Sequence, residues 1–186
     1  MKHNIKVILL MTILFLLSQF IGMYITSLSV GQKELPLGIV KPELEKDTSF
    51  IYIFSLIIIA TLIVLLIARF NAIKIWKVWF FISIVIILTV SLSFLIGEVI
   101  AFAVSMLVAY FKVIKPNVII HNFSELFMYS GLAVLFTESL SLISVFLLII
   151  LIAFYDMYAV WKSKHMIKLA NFQSKSKVFT GLLIPY

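Results

Sequence analysis

From Phe50 to Ala68 the chain carries no charged side chain, and the same holds for Val7–Leu28 and Val78–Ile96. A helix needs about 20 mostly apolar residues to cross the hydrocarbon core of a bilayer. Three further stretches hold one ionisable residue each or little more: Val99–Ile114, Val118–Phe136 and Leu140–Trp161. The sequence therefore predicts an all-α membrane protein with a bundle of about six transmembrane helices. Composition agrees. Of 186 residues 63% are hydrophobic and 12% charged, with mean hydropathy +1.20, whereas a soluble domain carries about 25% charged residues. Lipid, rather than water, is the solvent for most of this surface.

The span at Val99–Ile114 is the shortest of the six, and only Gly97 and Glu98 part it from the one before. That spacing suits a tight turn between two antiparallel helices, or a single segment that re-enters the membrane. Charge separates the two. With six crossings and a cytoplasmic N-terminus, twelve of the 15 basic residues fall on the cytoplasmic side. They are Lys2 and Lys6; Arg69, Lys74 and Lys77; Lys112 and Lys115; and Lys162, Lys164, Lys168, Lys175 and Lys177. The other three, Lys33, Lys41 and Lys46, share the first outside loop, Gly31–Ser49, with Glu34, Glu43, Glu45 and Asp47. Its prolines, Pro36 and Pro42, oppose a long helix there. The remaining outside turns hold Glu98 and Glu138 and no cation. This sorting follows the positive-inside rule. The expected layout is a transmembrane domain over residues 1–162, with spans 7–28, 50–68, 78–96, 99–114, 118–136 and 140–161, then a basic cytoplasmic segment over 163–186. Both termini lie inside, and the protein is multi-pass in the cell membrane.

Val7–Leu28 follows Met-Lys-His-Asn-Ile-Lys, as a signal peptide's apolar region would, but it exceeds the usual 7–15 residues and reads as a retained first span. After Lys162 the chain turns polar and basic, which suits an interfacial helix or loop over Ser163–Ser176. Val178, Phe179, Thr180, Gly181, Leu182, Leu183 and Ile184 follow, too few to span and ending at Pro185. Branched and aromatic residues before a proline predict a short strand.

The absence of cysteine excludes disulfides, zinc-thiolate sites and thiol catalysis. His3, His121 and His165 are too far apart for metal-ligand spacing, and no phosphate loop or Ser/His catalytic spacing occurs. No metal or cofactor is expected. The net charge of +7 comes from lysines flanking apolar segments, so it points to anionic lipid rather than nucleic acid.

Ionisable groups at membrane depth carry the functional information, because each is costly there. Glu98 and Glu138 fall at outside turns and mark helix ends. Glu125 lies two turns into the fifth span, with His121 at i−4 on the same face. That pair reads as an interfacial structural contact or as part of a polar pathway. Asp156 follows the apolar run Val145–Tyr155 and sits about 9 Å before Lys162 along the helix. Asp is too short to reach the headgroups from that depth. It is either a neutral carboxyl bonded to a neighbouring helix or a residue of a reaction or transport site. Tyr155, Tyr158 and Trp161 fit an interfacial aromatic belt, and Tyr155 adjoins the carboxylate.

Tyr155-Asp156, followed by Lys164-His165-Met166-Ile167-Lys168-Leu169-Ala170, resembles the sixth transmembrane helix of the presenilin and signal peptide peptidase family, most closely its archaeal members. The Val178–Pro185 run is similar to that family's short segment before its seventh helix. Specific identity is confined to about 30 residues from Leu151 onward, while the six-span layout extends the likeness to the whole chain. The resemblance implies an intramembrane aspartic endopeptidase that cleaves transmembrane helices. Two aspartates share one site, and one keeps a proton because like charges so close do not both ionise. The ionised one activates water and the protonated one polarises the peptide carbonyl. Asp156 matches the first aspartate, with Tyr155 in support. Val178–Ile184 would pair with the unwound substrate as an added strand.

The family's second aspartate lies in a Gly-x-Gly-Asp motif and is followed by a Pro-Ala-Leu motif, and neither string occurs in these 186 residues. No carboxylate follows Asp156. Half a dyad admits three readings: the N-terminal part of a protease completed by a C-terminal part from the same gene or a separate chain; a truncated relative that binds membrane helices without cutting them; or a small polytopic transporter using Asp156 as a proton or ion site, with Glu125 and His121 as partners.

Overall fold

A computed structural model describes residues 5–32, 34–41 and 44–184. Lys2, His3, Lys33, Pro42, Glu43 and Pro185, named above, lie outside the described residues. The apolar stretches are helical: α1 (Ile5–Ser29), α2 (Ser49–Arg69), α3 (Ile73–Ile96), α4 (Glu98–Val113), α5 (Val118–Phe136) and α6 (Leu142–Trp161). The amphipathic α7 (His165–Ser176) follows. Five of these, α1, α2, α3, α5 and α6, are long and apolar enough to cross a membrane. The expected sixth span is α4. Its 16 residues reach about 24 Å, short of the roughly 30 Å core.

Local chemistry sets the helix ends. Asn117 accepts from the amides of Ile119 and Ile120 to start α5, and Ser141 accepts from the Ser144 amide to start α6. Both satisfy amides that a helix N-terminus leaves unbonded. Gly97 parts α3 from α4 at φ +81°, a left-handed conformation that glycine adopts without strain.

The chain divides into two compact units. The first comprises residues 1–41, 80–137 and 180–186. In it α1 packs along α5, and α4 touches α5. Outside the apolar spans, Glu34–Leu35 (β1) pairs antiparallel with Ile39–Val40 (β2) across a 3-10 turn at Pro36–Gly38. This hairpin stands in the loop whose prolines opposed a helix. Its Leu35 joins Ile25, Val90 and Val134 in a buried cluster, with Ile21, Ile39, Phe94, Phe127 and Leu135 packed against it. The C-terminal halves of α1, α3 and α5 therefore meet at one end. Since α3 and α5 both finish there, α4 carries the chain back toward the start of α5. Its first residue, Glu98, accepts a 2.8 Å hydrogen bond from the Leu37 amide at that end.

Helices in lipid gain little from the hydrophobic effect and associate instead through close packing of small residues. Ala101, Ser105 and Ala109 make the buried stripe of α4. A Cβ placed on Gly131 would run into the Ile87 carbonyl oxygen, so glycine is what lets α5 and α3 touch backbone to backbone.

The second unit comprises residues 42–79 and 138–179. Here α2 packs on α6, and α7 packs on both. The Ser144 hydroxyl donates to the Lys46 carbonyl at 2.5 Å, joining the start of α6 to the segment before α2. Leu169, Phe172 and Ser176 form the buried stripe of α7, the spacing of one helix face. Trp76, in the first turn of α3, meets the Phe172 ring edge-on and donates to the Val178 carbonyl at 3.3 Å.

Val178–Ile184 does not form the expected strand. A strand is defined by its backbone ladder, and here side chains bind the backbone instead. Asn122 donates to the Leu183 carbonyl at 2.7 Å and accepts from the Leu183 amide at 2.8 Å. His121 Nε2 lies 2.7 Å from the Gly181 carbonyl.

Candidate active site

Asp156 sits in unbroken helix, one turn and a half before the end of α6. Its side chain is exposed, as are those of Met157, Tyr158 and Val160 around it. The buried positions of α6 are Ser144 and Ala159, and Asp156, one turn before Ala159, is exposed at the edge of the face they mark.

Tyr155 takes a different direction. Neighbouring residues on an α-helix point about 100° apart, and Tyr155 turns inward between α2 and α7. The Phe54 ring meets it edge-on, with centroids 6.1 Å apart. Its hydroxyl lies 3.0 Å from His165 Nε2, and His165 Nδ1 lies 2.6 Å from the Ser163 hydroxyl. Ser163 also donates weakly to the Tyr158 and Ala159 carbonyls at 3.4 and 3.5 Å. The chain Tyr155–His165–Ser163 pins the start of α7 to the end of α6. Lys164 makes the turn between them at φ +54°.

The first unit holds a second polar group. The Lys112 ammonium donates to Glu125 Oε1 at 2.5 Å, to the Ser124 hydroxyl at 2.8 Å, and lies 3.3 Å from Met128 Sδ. The Phe80 ring centroid is 5.9 Å from the ammonium, within cation–π range. The Glu125 side chain is fully buried and that of Lys112 nearly so. The i−4 pairing of His121 with Glu125 is looser, at 3.9 Å, because His121 Nε2 carries its hydrogen toward the Gly181 carbonyl. The sequence placed His121 and Glu125 on one face, but Lys112 was counted only among the cytoplasmic cations. A signal was present. Lys112 continues the stripe Ala101, Ser105, Ala109 at i+3, so it faces the packed side of α4 rather than lipid.

The family model for signal-peptide peptidase, presenilin aspartyl protease, matches residues 6–186. The chain belongs to the signal-peptide peptidase and presenilin aspartyl protease family. Comparison with curated proteins gives no match, and comparison with solved structures gives none. The matched span includes α1 through α7, both Asp156 and the Lys112–Glu125 pair, and the tail held by His121 and Asn122. As a member of this family, the chain is a multi-pass membrane protein related to intramembrane aspartyl proteases, whose setting is the lipid bilayer and whose substrates are helical.

Proposed function

We propose that this chain supplies one of the two aspartates of an intramembrane aspartic endopeptidase that cleaves transmembrane helices, and that Asp156 is that residue. The observation that carries the reading is the exposed carboxylate of Asp156 in an intact apolar helix, long enough to cross a membrane, of a family member. An ionisable group so placed is costly unless a partner or a water-filled site receives it. The partner is a second aspartate on a helix with the Gly-x-Gly-Asp motif, carried by a C-terminal part that also bears Pro-Ala-Leu, from the same gene or a separate chain.

Together the two carboxyls hold one proton. The ionised one takes a proton from water as it attacks the peptide carbonyl, and the protonated one donates to the carbonyl oxygen. With both termini cytoplasmic, the dyad lies in the cytoplasmic half of the bilayer. Tyr155 acts by fixing the end of α6 through His165. The Val178–Ile184 segment receives the unwound substrate. Successive residues of an extended chain present their backbone groups to opposite edges. Asn122 engages Leu183, so Leu182 and Ile184 present the edge that meets the substrate.

The test is cleavage of a model transmembrane substrate by this chain together with the Gly-x-Gly-Asp part, compared with the same assembly carrying Asp156→Asn. Cleavage should require both parts and be lost in the variant. Cleavage that survives Asp156→Asn sinks the assignment. Substrate binding without cleavage in every combination identifies a helix-binding relative instead.

A further inference from the structure

In the second unit, the end of α2 and one stripe of α7 line a half-open cavity of about 600 Å³. Its polar wall consists of Arg69, Asn71, Lys168, Asn171 and Lys175, and Phe172 forms part of its apolar floor. Lys168, Asn171 and Lys175 stand at i, i+3 and i+7, so they share one face of α7. That face lies beside the buried stripe of Leu169, Phe172 and Ser176. Arg69 comes from the last turn of α2, and Asn71 follows in a left-handed turn at φ +49°.

Every charged group lining this cavity is a cation. Among the described residues, Arg69, Lys168 and Lys175 make no ion pair. Three positive charges around one concavity repel each other, and an anion relieves that repulsion. The donor set suits a phosphate group: a guanidinium fork, two ammonium groups and two amide NH₂ groups. The cavity also lies at the end of α2, a helix long and apolar enough to cross a membrane, and lipid headgroups meet a spanning helix at its ends. Leu65 and Ala68 of its wall lead onto the exposed Leu62 and Leu66 of α2, a track for an acyl chain that a free phosphate would not use.

We propose that this cavity binds the phosphate-bearing headgroup of an anionic lipid, with Arg69, Lys168 and Lys175 supplying the charge and Asn71 and Asn171 the neutral donors. Basic pockets between helices at the cytoplasmic side of a membrane are suited to such headgroups. The bound lipid would tie α7 to α2, and the site is independent of the role assigned to Asp156.

The test places the full chain in phosphatidylcholine nanodiscs doped with phosphatidylglycerol and counts retained lipid by native mass spectrometry. The unmodified chain should retain phosphatidylglycerol in preference to phosphatidylcholine. The triple variant Arg69→Gln, Lys168→Gln, Lys175→Gln should lose affinity by roughly a hundredfold. A matched control, Lys74→Gln, Lys162→Gln, Lys164→Gln, removes the same charge elsewhere and should change affinity by less than about threefold. The charge-keeping variant Arg69→Lys, Lys168→Arg, Lys175→Arg should retain the lipid, which separates loss of charge from loss of fold. Equal retention by the two neutralised variants overturns the proposal, because lipid is then held by overall charge. Displacement of phosphatidylglycerol by millimolar inorganic phosphate also overturns it, since the site then takes a free anion.

Discussion

The Lys112 ammonium and Glu125 Oε1 lie 2.5 Å apart, with both side chains buried between α4 and α5. Neither residue reaches this state alone. A lone ammonium or carboxylate in a medium of low dielectric is strongly disfavoured, and the pair is tolerated because each charge meets the other. Ser124, Met128 and Phe80 also surround the ammonium. Removing one partner should therefore destabilise the first unit by about 3–5 kcal/mol. Lys112→Met and Glu125→Leu each test this, read from denaturant unfolding in detergent. The double variant should recover most of the loss. If the double is as unstable as the sum of the singles, the pair is not what holds α4 to α5.

Gly131 and Gly22 should respond differently to alanine. At Gly131 the added methyl meets the Ile87 carbonyl, whereas at Gly22 it lies 3.8 Å from the Ser130 hydroxyl, an ordinary contact. Gly131→Ala should cost about 1–3 kcal/mol through overpacking. Gly22→Ala should be neutral or stabilising by up to about 1 kcal/mol, because alanine favours the helix. Thermal melting of the two variants side by side checks the contrast.

Asn122 holds Leu183 by two hydrogen bonds, and His121 holds Gly181 by one. Asn122→Ala should release the tail at a local cost of about 1–3 kcal/mol, while the helices stay folded. Faster hydrogen exchange at Leu182–Ile184, with unchanged exchange in α1 and α5, is the expected signature. On the proposed role of this segment, substrate cleavage should fall as well.

Asp156→Asn separates function from stability. The side chain is exposed and its replacement is nearly isosteric, so unfolding should shift by less than about 0.5 kcal/mol. Cleavage by the assembled protease should drop by at least about 10²-fold, the usual share of a general acid or base. A large loss of stability would mean that Asp156 is a structural residue.

Tyr155→Phe keeps the ring against Phe54 and removes the hydroxyl that bonds His165. The expected cost is about 1 kcal/mol, seen as faster exchange in the first turn of α7. His165→Ala should produce the same local change.

The length of the apolar runs and composition were enough to find the helices. The expected spans and the observed helices differ by a few residues at their ends, and Val118–Phe136 coincides. A run such as Phe50–Ala68 has few choices in lipid, because its backbone must bond within itself. The β1–β2 hairpin was not legible, since two-residue strands carry no periodic signal. The strand expected at Val178–Ile184 was read from residue type. Residue type reports a preference for extended backbone but not the partner that would complete a ladder, and His121 and Asn122 occupy that place.

The sequence by itself determined that the chain is a multi-pass helical membrane protein, that Asp156 stands within an apolar helical stretch, and which family it joins. Those conclusions rest on local composition and on a contiguous string of residues. Only the tertiary structure decided that Lys112 belongs to Glu125, that Tyr155 faces His165 while Asp156 stays uncovered, and that Arg69 shares a cavity with Lys168 and Lys175. Each of those relations joins residues from different helices or different faces of one helix. A buried charge selects its partner by the distance that packing permits, and packing depends on small side chains such as Gly131, whose value lies in what they leave out.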